Sequence, residues 1–86
     1  MLMLYYFIHF RSLTYAQRGK RILERAGISG RIVRTPQSIA RSGCGHSIKL
    51  SERWFEPALA ALRRENISIV GIHGWTDQGQ YREVVG

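Results

Sequence analysis

The only cysteine of the chain, Cys44, lies between Gly43 and Gly45. No apolar run surrounds it, whereas a cysteine that serves as a small core residue usually lies within one and is inert. Glycine neighbours leave the sulfur uncrowded and allow backbone angles that expose N–H groups to a thiolate or an anion. The pattern therefore allows two interpretations: a reactive thiol, or a glycine-rich loop in which cysteine is merely the small residue.

The positive charge of the chain is concentrated around this cysteine. The 86 residues include 13 Lys or Arg and 6 Asp or Glu, a net charge of +7. The segment from Arg11 to Lys49 contains most of the basic residues and a single acidic one, Glu24, while the rest is close to neutral. Such a segment attracts anionic partners, namely nucleic acid, an acidic protein surface or a small oxyanion. The basic residues on the first helix are also explained by an ordinary polar helix face in contact with solvent.

Length and composition predict one domain spanning residues 1–86, because the chain can bury one modest core and not two. A lone cysteine forms no internal disulfide, so a reducing cytoplasm is expected. The apolar start, residues 1–8, lacks the features of a signal peptide and is shorter than the roughly 20 residues of a membrane span. We therefore expect no membrane segment and interpret this start as a buried strand.

Periodicity and turn residues predict a βαββαβ order. Pro57 indicates that the second helix has an irregular first turn or begins near Glu56. The predicted elements are a strand at 2–9, a helix at 13–26, strands at 28–34 and 46–50, a helix after Ser51, a strand at 67–72 and a short edge strand at 81–85.

This order predicts an α+β fold of the ferredoxin-like type, with a four-stranded antiparallel sheet and both helices on one face. In that fold the end of strand one lies beside the start of strand three, which brings His9 and Phe10 close to Cys44 and His46. The N-terminus of the first helix, at Ser12, lies there as well, and helix N-termini favour a thiolate or a bound anion.

A set of residues is therefore predicted to support the Cys44 thiolate. Gly43 and Gly45 give access to the sulfur, and three arginines and the helix N-terminus supply positive charge at the same end of the sheet. His46, two residues beyond Cys44, shares its face if both lie in a strand. The predicted supporting residues are Arg11, Ser12, Arg34, Arg41, Gly43, Gly45 and His46.

Two other kinds of site are weaker interpretations. A metal site from Cys44, His9, His46 and His73 is not expected, because strand four should carry His73 to the opposite edge of the fold and the ligand spacing is irregular. A Cys44–His46 catalytic pair lacks a visible third residue that would orient the histidine. An ordinary strand-end position is the expected role of His73.

The sheet face opposite the helices is predicted to be apolar and open. RNA-binding modules of this strand order place stacking aromatics on the third strand as well as the first. Here Tyr5, Tyr6 and Phe7 lie on strand one, whereas residues 46–50 contain no aromatic residue. Nucleic acid is therefore not the expected ligand of this face, and association of two chains through it is the prediction.

The order of these features resembles a family of small bacterial domains, the selenium/sulfur carrier protein-like family. The likeness covers most of the chain: an apolar first strand, a helix that ends in Ala26-Gly27-Ile28, a strand that runs into a proline, and a serine-containing approach to Cys-Gly. The motif residues are Pro36, Ser38, Ile39, Ser42, Gly43, Cys44 and Gly45.

The resemblance implies that Cys44 accepts sulfur or selenium as a persulfide or selenosulfide and passes it to a partner protein. Donor and acceptor proteins are then the expected partners, no cofactor is expected, and the protein is a carrier rather than a stand-alone enzyme. Two alternatives stay open: a basic module that binds nucleic acid or an acidic protein without covalent chemistry, and a thiol redox sensor.

Overall fold

The computed structural model describes residues 2–40 and 45–84. Within these residues the chain forms two helices and one antiparallel sheet of five strands in the order β2-β3-β1-β4-β5. The predicted α+β class is confirmed, but the predicted four strands are one too few, because the short C-terminal strand pairs with β4. The elements are β1 (Met3–Phe10), α1 (Leu13–Arg25), β2 (Arg31–Arg34), β3 (His46–Ser51), α2 (Phe55–Arg64), β4 (Gly71–Thr76) and β5 (Tyr81–Glu83).

Both helices pack against the same face of the sheet. Gly19 of α1 lies so close to Phe10 that a Cβ added to it would come within 2.9 Å of the ring. The ring of Tyr6 stacks on Phe55 of α2 with centroids 3.8 Å apart. Tyr6 and Phe10 lie four residues apart in β1 and therefore share a face. The core between this face and the helices includes Ile8, Ile48, Leu50, Leu62 and Ile72.

The helix starts agree with the turn residues of the sequence. Ser12 is the N-cap of α1, and its Oγ accepts a hydrogen bond of 3.3 Å from the backbone N–H of Tyr15. A 3₁₀ turn at Glu52–Trp54 precedes α2, which confirms the irregular start that Pro57 indicated. Pro57 is the third residue of α2, where a backbone N–H has no partner within the helix in any case.

The end of α1 explains why β2 begins at Arg31 instead of residue 28. Gly27 adopts a φ of 75°, and the backbone N–H of Ile28 bonds to the carbonyl of Leu23 at 2.9 Å. This is a Schellman cap, in which the apolar residue after the αL residue packs back on the helix. Ile28 is accordingly buried as part of the helix end and does not belong to the strand.

The end of α2 has a Schellman cap as well, and this cap explains why β4 begins later than predicted. Asn66 has a φ of 57°, and the N–H of Ile67 bonds to the carbonyl of Leu62 at 3.4 Å. Ile67 is thus a buried cap residue, and β4 begins at Gly71, four residues later than predicted. The delay places His73 inside the strand instead of beyond its end.

The sheet face opposite the helices is partly covered by the chain itself. Phe7 is buried, and the ring of Tyr81 from β5 meets it edge-on with centroids 5.7 Å apart. The ammonium of Lys49 lies 4.5 Å from the centroid of Tyr5, which keeps 40% of its surface exposed. The face is therefore less open than the sequence indicated.

Candidate functional site

The predicted supporting residues that the structure describes lie together at one end of the sheet. The register of β1 and β3 pairs Phe10 with His46, and that of β2 and β3 pairs Arg34 with His46. These pairings bring the end of β1, the end of β2 and the start of α1 around the start of β3. The resulting depression of about 230 Å³, here called the arginine cleft, is lined by Arg11, Ser12, Leu13, Arg34, Gly45 and His46.

Cys44, Arg41 and Gly43 lie outside the described residues. The five other predicted residues all line the arginine cleft, so the structure brings these five together. That these residues stabilise a thiolate on Cys44 stays a prediction.

Positive charge dominates the arginine cleft. Arg11 and Arg34 are both exposed, and no acidic residue lies in the first turn of α1. The guanidinium of Arg11 lies 5.2 Å from the centroid of the Tyr15 ring, a cation–π distance that orients its side chain. The N-terminus of α1 adds partial positive charge. The cleft is therefore suited to an anion or a thiolate.

Gly45 also has a structural role. Its carbonyl accepts a 3.0 Å hydrogen bond from the N–H of Thr35, which continues the pairing of β2 and β3. A Cβ at Gly45 would lie 3.3 Å from the carbonyl oxygen of Phe10 and 3.4 Å from Thr35 Oγ1. Close packing thus explains this glycine whether or not the neighbouring cysteine is reactive.

A second group of polar residues lies on the sheet face opposite the helices. His9 Nδ1 and Ser47 Oγ are 2.7 Å apart, and Ser47 Oγ and Thr35 Oγ1 are also 2.7 Å apart. His9 Nε2 lies 2.8 Å from His73 Nδ1. Thr35, Ser47 and His9 are all buried. Thr35, just after β2, and one residue each of β3, β1 and β4 thus form a continuous hydrogen-bond chain that ends at His73.

The prediction that His73 lies at the opposite edge of the fold is wrong. His73 is in β4, which is hydrogen-bonded to β1, and its register partner there is Phe7. Gly71 is the register partner of His9. Because Gly71 has no side chain, the imidazole of His73 can reach diagonally across the strand pair to His9.

Burial keeps His9 neutral. The pKa of His9 is lowered to about 4, chiefly by desolvation and secondly by the charge of His73. A neutral imidazole has one donor nitrogen and one acceptor nitrogen, and both are used in the bonds to Ser47 and His73. Near neutral pH, His9 is therefore the uncharged partner in both hydrogen bonds.

A cavity of about 340 Å³ opens beside these histidines. Its walls combine the polar chain with apolar side chains and one residue of each charge. It shares Arg11 and Gly45 with the arginine cleft. This space, here called the His9 cavity, is lined by His9, Phe10, Arg11, Thr35, Ile39, Ala40, Gly45, Val70, Gly71, His73 and Glu83.

One signal in the sequence could have revealed the second histidine. From Gly71 to Thr76 the residues alternate between half-buried and buried positions, as a strand with one face on the core requires. Interpreting Ile72, Gly74 and Thr76 as the inward set would have placed His73 on the same face as Phe7 and His9. The apolar residues Ile67, Ile69 and Val70 concealed this alternation, because they indicated an earlier strand.

In residues 2–40 and 45–84, no group of three or more His, Cys, Asp or Glu side chains is arranged to hold a metal ion. Neither helix in that part of the chain is long and apolar enough to cross a membrane.

The chain was compared with known protein families, curated proteins and solved structures. A family model described as "Putative Se/S carrier protein-like" matches residues 5–74. The chain belongs to this family. The matched range contains the arginine cleft, Cys44 and both His9 and His73. No curated protein and no solved structure matches the chain.

Proposed function

We propose that this protein is a selenium or sulfur carrier that holds the chalcogen on Cys44 as a selenosulfide or persulfide. The observation that carries the proposal is the family match, because its range includes the only cysteine of the chain. A chain without a second thiol has no resolving cysteine that would expel the cargo as an internal disulfide. A carrier role fits this composition better than that of a stand-alone enzyme.

The described surroundings of Gly45 support the proposal. Cys44 is joined to Gly45 by one peptide bond, and Gly45 lines both the arginine cleft and the His9 cavity. Arg11, Arg34 and the N-terminus of α1 supply positive charge there, and positive charge lowers the pKa of a nearby thiol. Arg41 and Gly43 belong to the proposed site through the sequence alone.

The proposed loading reaction is a thiol–persulfide exchange. The Cys44 thiolate attacks the outer sulfur of a donor persulfide, and a new S–S bond forms on Cys44. The S–S bond of the donor breaks, and its electron pair leaves with the inner sulfur as a thiolate, which then takes a proton. The exchange needs no external oxidant, because one S–S bond replaces another.

The remaining features of the proposal concern partners and context. Carriers have transfer partners, and we propose that donor and acceptor proteins dock on the basic surface around the arginine cleft. We further propose that the single domain is ferredoxin-like and acts in the cytoplasm. Pairing of two chains through the sheet face opposite the helices stays a prediction, and a monomeric mass by light scattering at micromolar concentration would contradict it.

The test is the intact mass of the protein after incubation with a cysteine desulfurase and cysteine. We expect wild type to gain the mass of one sulfur, and a reductant to remove it. Cys44→Ser is the matched control and should gain nothing. In parallel, the pH dependence of Cys44 alkylation should show a thiol pKa below the usual value of about 8.5.

Two outcomes would contradict the carrier function. One is a thiol that is readily alkylated in the folded protein and yet gains no sulfur. The other is a mass gain of equal size in Cys44→Ser, which would place the sulfur elsewhere.

A further inference from the structure

Three aromatic residues lie in one row across neighbouring strands, on the sheet face opposite the helices. The register of β1 and β4 pairs Tyr5 with Trp75, and that of β4 and β5 pairs Trp75 with Tyr81. Register partners in an antiparallel sheet share a face. The rings of Trp75 and Tyr81 meet edge-on with centroids 4.7 Å apart. Tyr5, Trp75 and Tyr81 therefore form a continuous line of rings, here called the aromatic row.

The aromatic row keeps part of its surface in contact with solvent. Tyr5 is 40% exposed, and Trp75 and Tyr81 are half-buried. Neighbouring strands are about 4.8 Å apart, so the row spans roughly 10 Å between β1 and β5. RNA-recognition sheets stack two or three unpaired bases on their aromatic side chains. The length of the row suits a ligand of that size.

Cations border the aromatic row on one side. In the next row of the same face, Phe7 pairs with Lys49, and Lys49 pairs with Arg31 of β2. The ammonium of Lys49 lies 4.5 Å from the centroid of the Tyr5 ring, and Arg31 is exposed. The acidic residue of this second row, Glu83, is on β5 at the opposite edge of the sheet. Positive charge is therefore concentrated on the β2–β3 side of the face.

This arrangement removes the reason for excluding nucleic acid from the face. The prediction against nucleic acid depended on the lack of aromatic residues in strand three, residues 46–50. In the structure β1 is the central strand of five, with β3 on one side and β4 on the other. β4 supplies the second aromatic position through Trp75, and β3 supplies a cation through Lys49.

The charge of the face favours a polyanion over a second copy of the chain. Each chain carries a net charge of +7, so pairing two chains through a face that contains Lys49 and Arg31 brings like charges together. Phosphate groups complement both cations. Bases reach an aromatic surface only where they are unpaired, and single-stranded loops and ends are typical of RNA.

We propose that this sheet face binds single-stranded RNA, with bases stacked on the aromatic row and phosphates held by Lys49 and Arg31. The binding is noncovalent and does not depend on the chemistry of Cys44. Stacking on aromatic side chains accepts any base, since every base has a π-face. The expected ligand is therefore a short single-stranded segment, bound with little sequence preference and with a strong dependence on salt.

The test measures the fluorescence anisotropy of labelled decauridine titrated with the full chain. Tyr5→Leu keeps an apolar side chain but removes the ring, and we expect it to weaken binding by about tenfold, the contribution of one stacked base. Tyr15→Leu is the matched control, because Tyr15 lies on α1, on the other side of the sheet, and also has cations beside its ring, Arg11 and Arg18. This variant should bind as tightly as wild type.

The salt dependence of the same titration tests the cations. Lys49→Gln should reduce the slope of log K against log salt concentration by about one, the value of one phosphate contact. Arg21→Gln removes a charge from an exposed position of α1 and should leave the slope unchanged. Circular dichroism establishes that each variant is folded. Because Lys49→Gln keeps every ring of the face, it tests the proposal even if Tyr5→Leu does not fold.

Weaker binding by Tyr5→Leu together with a smaller salt slope for Lys49→Gln supports the proposal, and three results would overturn it. Equal weakening in Tyr5→Leu and Tyr15→Leu would show that the net charge of the chain holds the RNA and that the face does not. An RNA duplex of the same length bound as tightly as decauridine would exclude stacking of unpaired bases. Light scattering that finds a wild-type dimer and a Tyr5→Leu monomer would assign the face to a second copy of the chain.

Discussion

The arginine cleft and the His9 cavity lie at the same end of the sheet and share Arg11 and Gly45, yet they are built in opposite ways. The cleft displays exposed guanidinium groups that remain charged in water. The cavity is backed by a buried chain of neutral groups around His9. The difference shows that surface charge alone suits a region to anions, whereas a buried polar chain needs every group to be paired in an ordered hydrogen bond.

The two regions also differ in their demands on folding. Exposed charges are solvated and screened, so they can be changed at little cost. Buried polar groups must be paired, and among the described residues no buried side-chain nitrogen or oxygen lacks a hydrogen-bond partner. Substitutions in the cavity should therefore alter stability, while those in the cleft should alter reactivity.

The largest expected effect comes from His9→Ala. The substitution leaves Ser47 and His73 without a shared partner and leaves a void where the buried imidazole was. We expect the free energy of unfolding in urea to fall by about 3 kcal/mol, from the unpaired groups and the void together. Arg34→Ala in the cleft should change it by less than about 0.5 kcal/mol. Equal losses in the two variants would remove the distinction between the regions.

A related effect depends on pH. The pKa of His9 is about 4 in the folded state, below the unfolded value of about 6.5. The unfolded state therefore binds more protons between these values, and stability falls as the pH falls from 6.5 to 4. The contribution lost is at most about 3.4 kcal/mol, from about 1.36 kcal/mol per pH unit of the shift, and it levels off about one pH unit below 4.

Urea unfolding at intervals of half a pH unit measures this loss. Carboxylates also titrate in the range, so the informative quantity is the difference between wild type and His9→Gln. That difference should shrink steadily as the pH falls below 6.5. A difference that does not vary with pH would show that His9 is not held neutral by the fold.

The smallest effect is expected in the cleft. Arg34→Ala should slow the alkylation of Cys44 below pH 8 by about two- to fivefold, the value of one exposed charge interaction. The effect should vanish in 1 M salt, where the Debye length is about 3 Å. Arg21→Ala removes the same charge from an exposed position of α1 and is the matched control. If both variants slow alkylation equally, net charge matters and the position of Arg34 does not.

Local patterns in the sequence predicted much of the fold and one of the two regions. Ser12 before an amphipathic run predicted the start of α1, and Pro57 predicted that α2 has an irregular first turn or begins near Glu56, of which the structure shows the first. The arginine cleft was predictable because its members flank the ends of elements that meet whenever β1 and β3 pair antiparallel. These inferences depend on short-range patterns and on one strand pairing.

The His9 cavity, in contrast, depends on a long-range feature, the register of β1 and β4. The His9–His73 bond joins residues 64 positions apart and forms only if β4 begins at Gly71. That start is set by the Schellman cap at Asn66, which takes Ile67 out of the strand that its apolar neighbours indicated. A shift of four residues along a strand moves a side chain by roughly 13 Å, enough to separate the two histidines.

The sequence by itself determined the α+β class, the first helix cap and the basic residues around Gly45, since these follow from local propensity, capping and charge. Only the tertiary structure decided that His9, Ser47, Thr35 and His73 form one hydrogen-bond chain beside a cavity. The physical reason is that such a chain depends on the register of three neighbouring strand pairs. Register is set by packing and helix caps elsewhere in the chain, and not by the polar residues themselves.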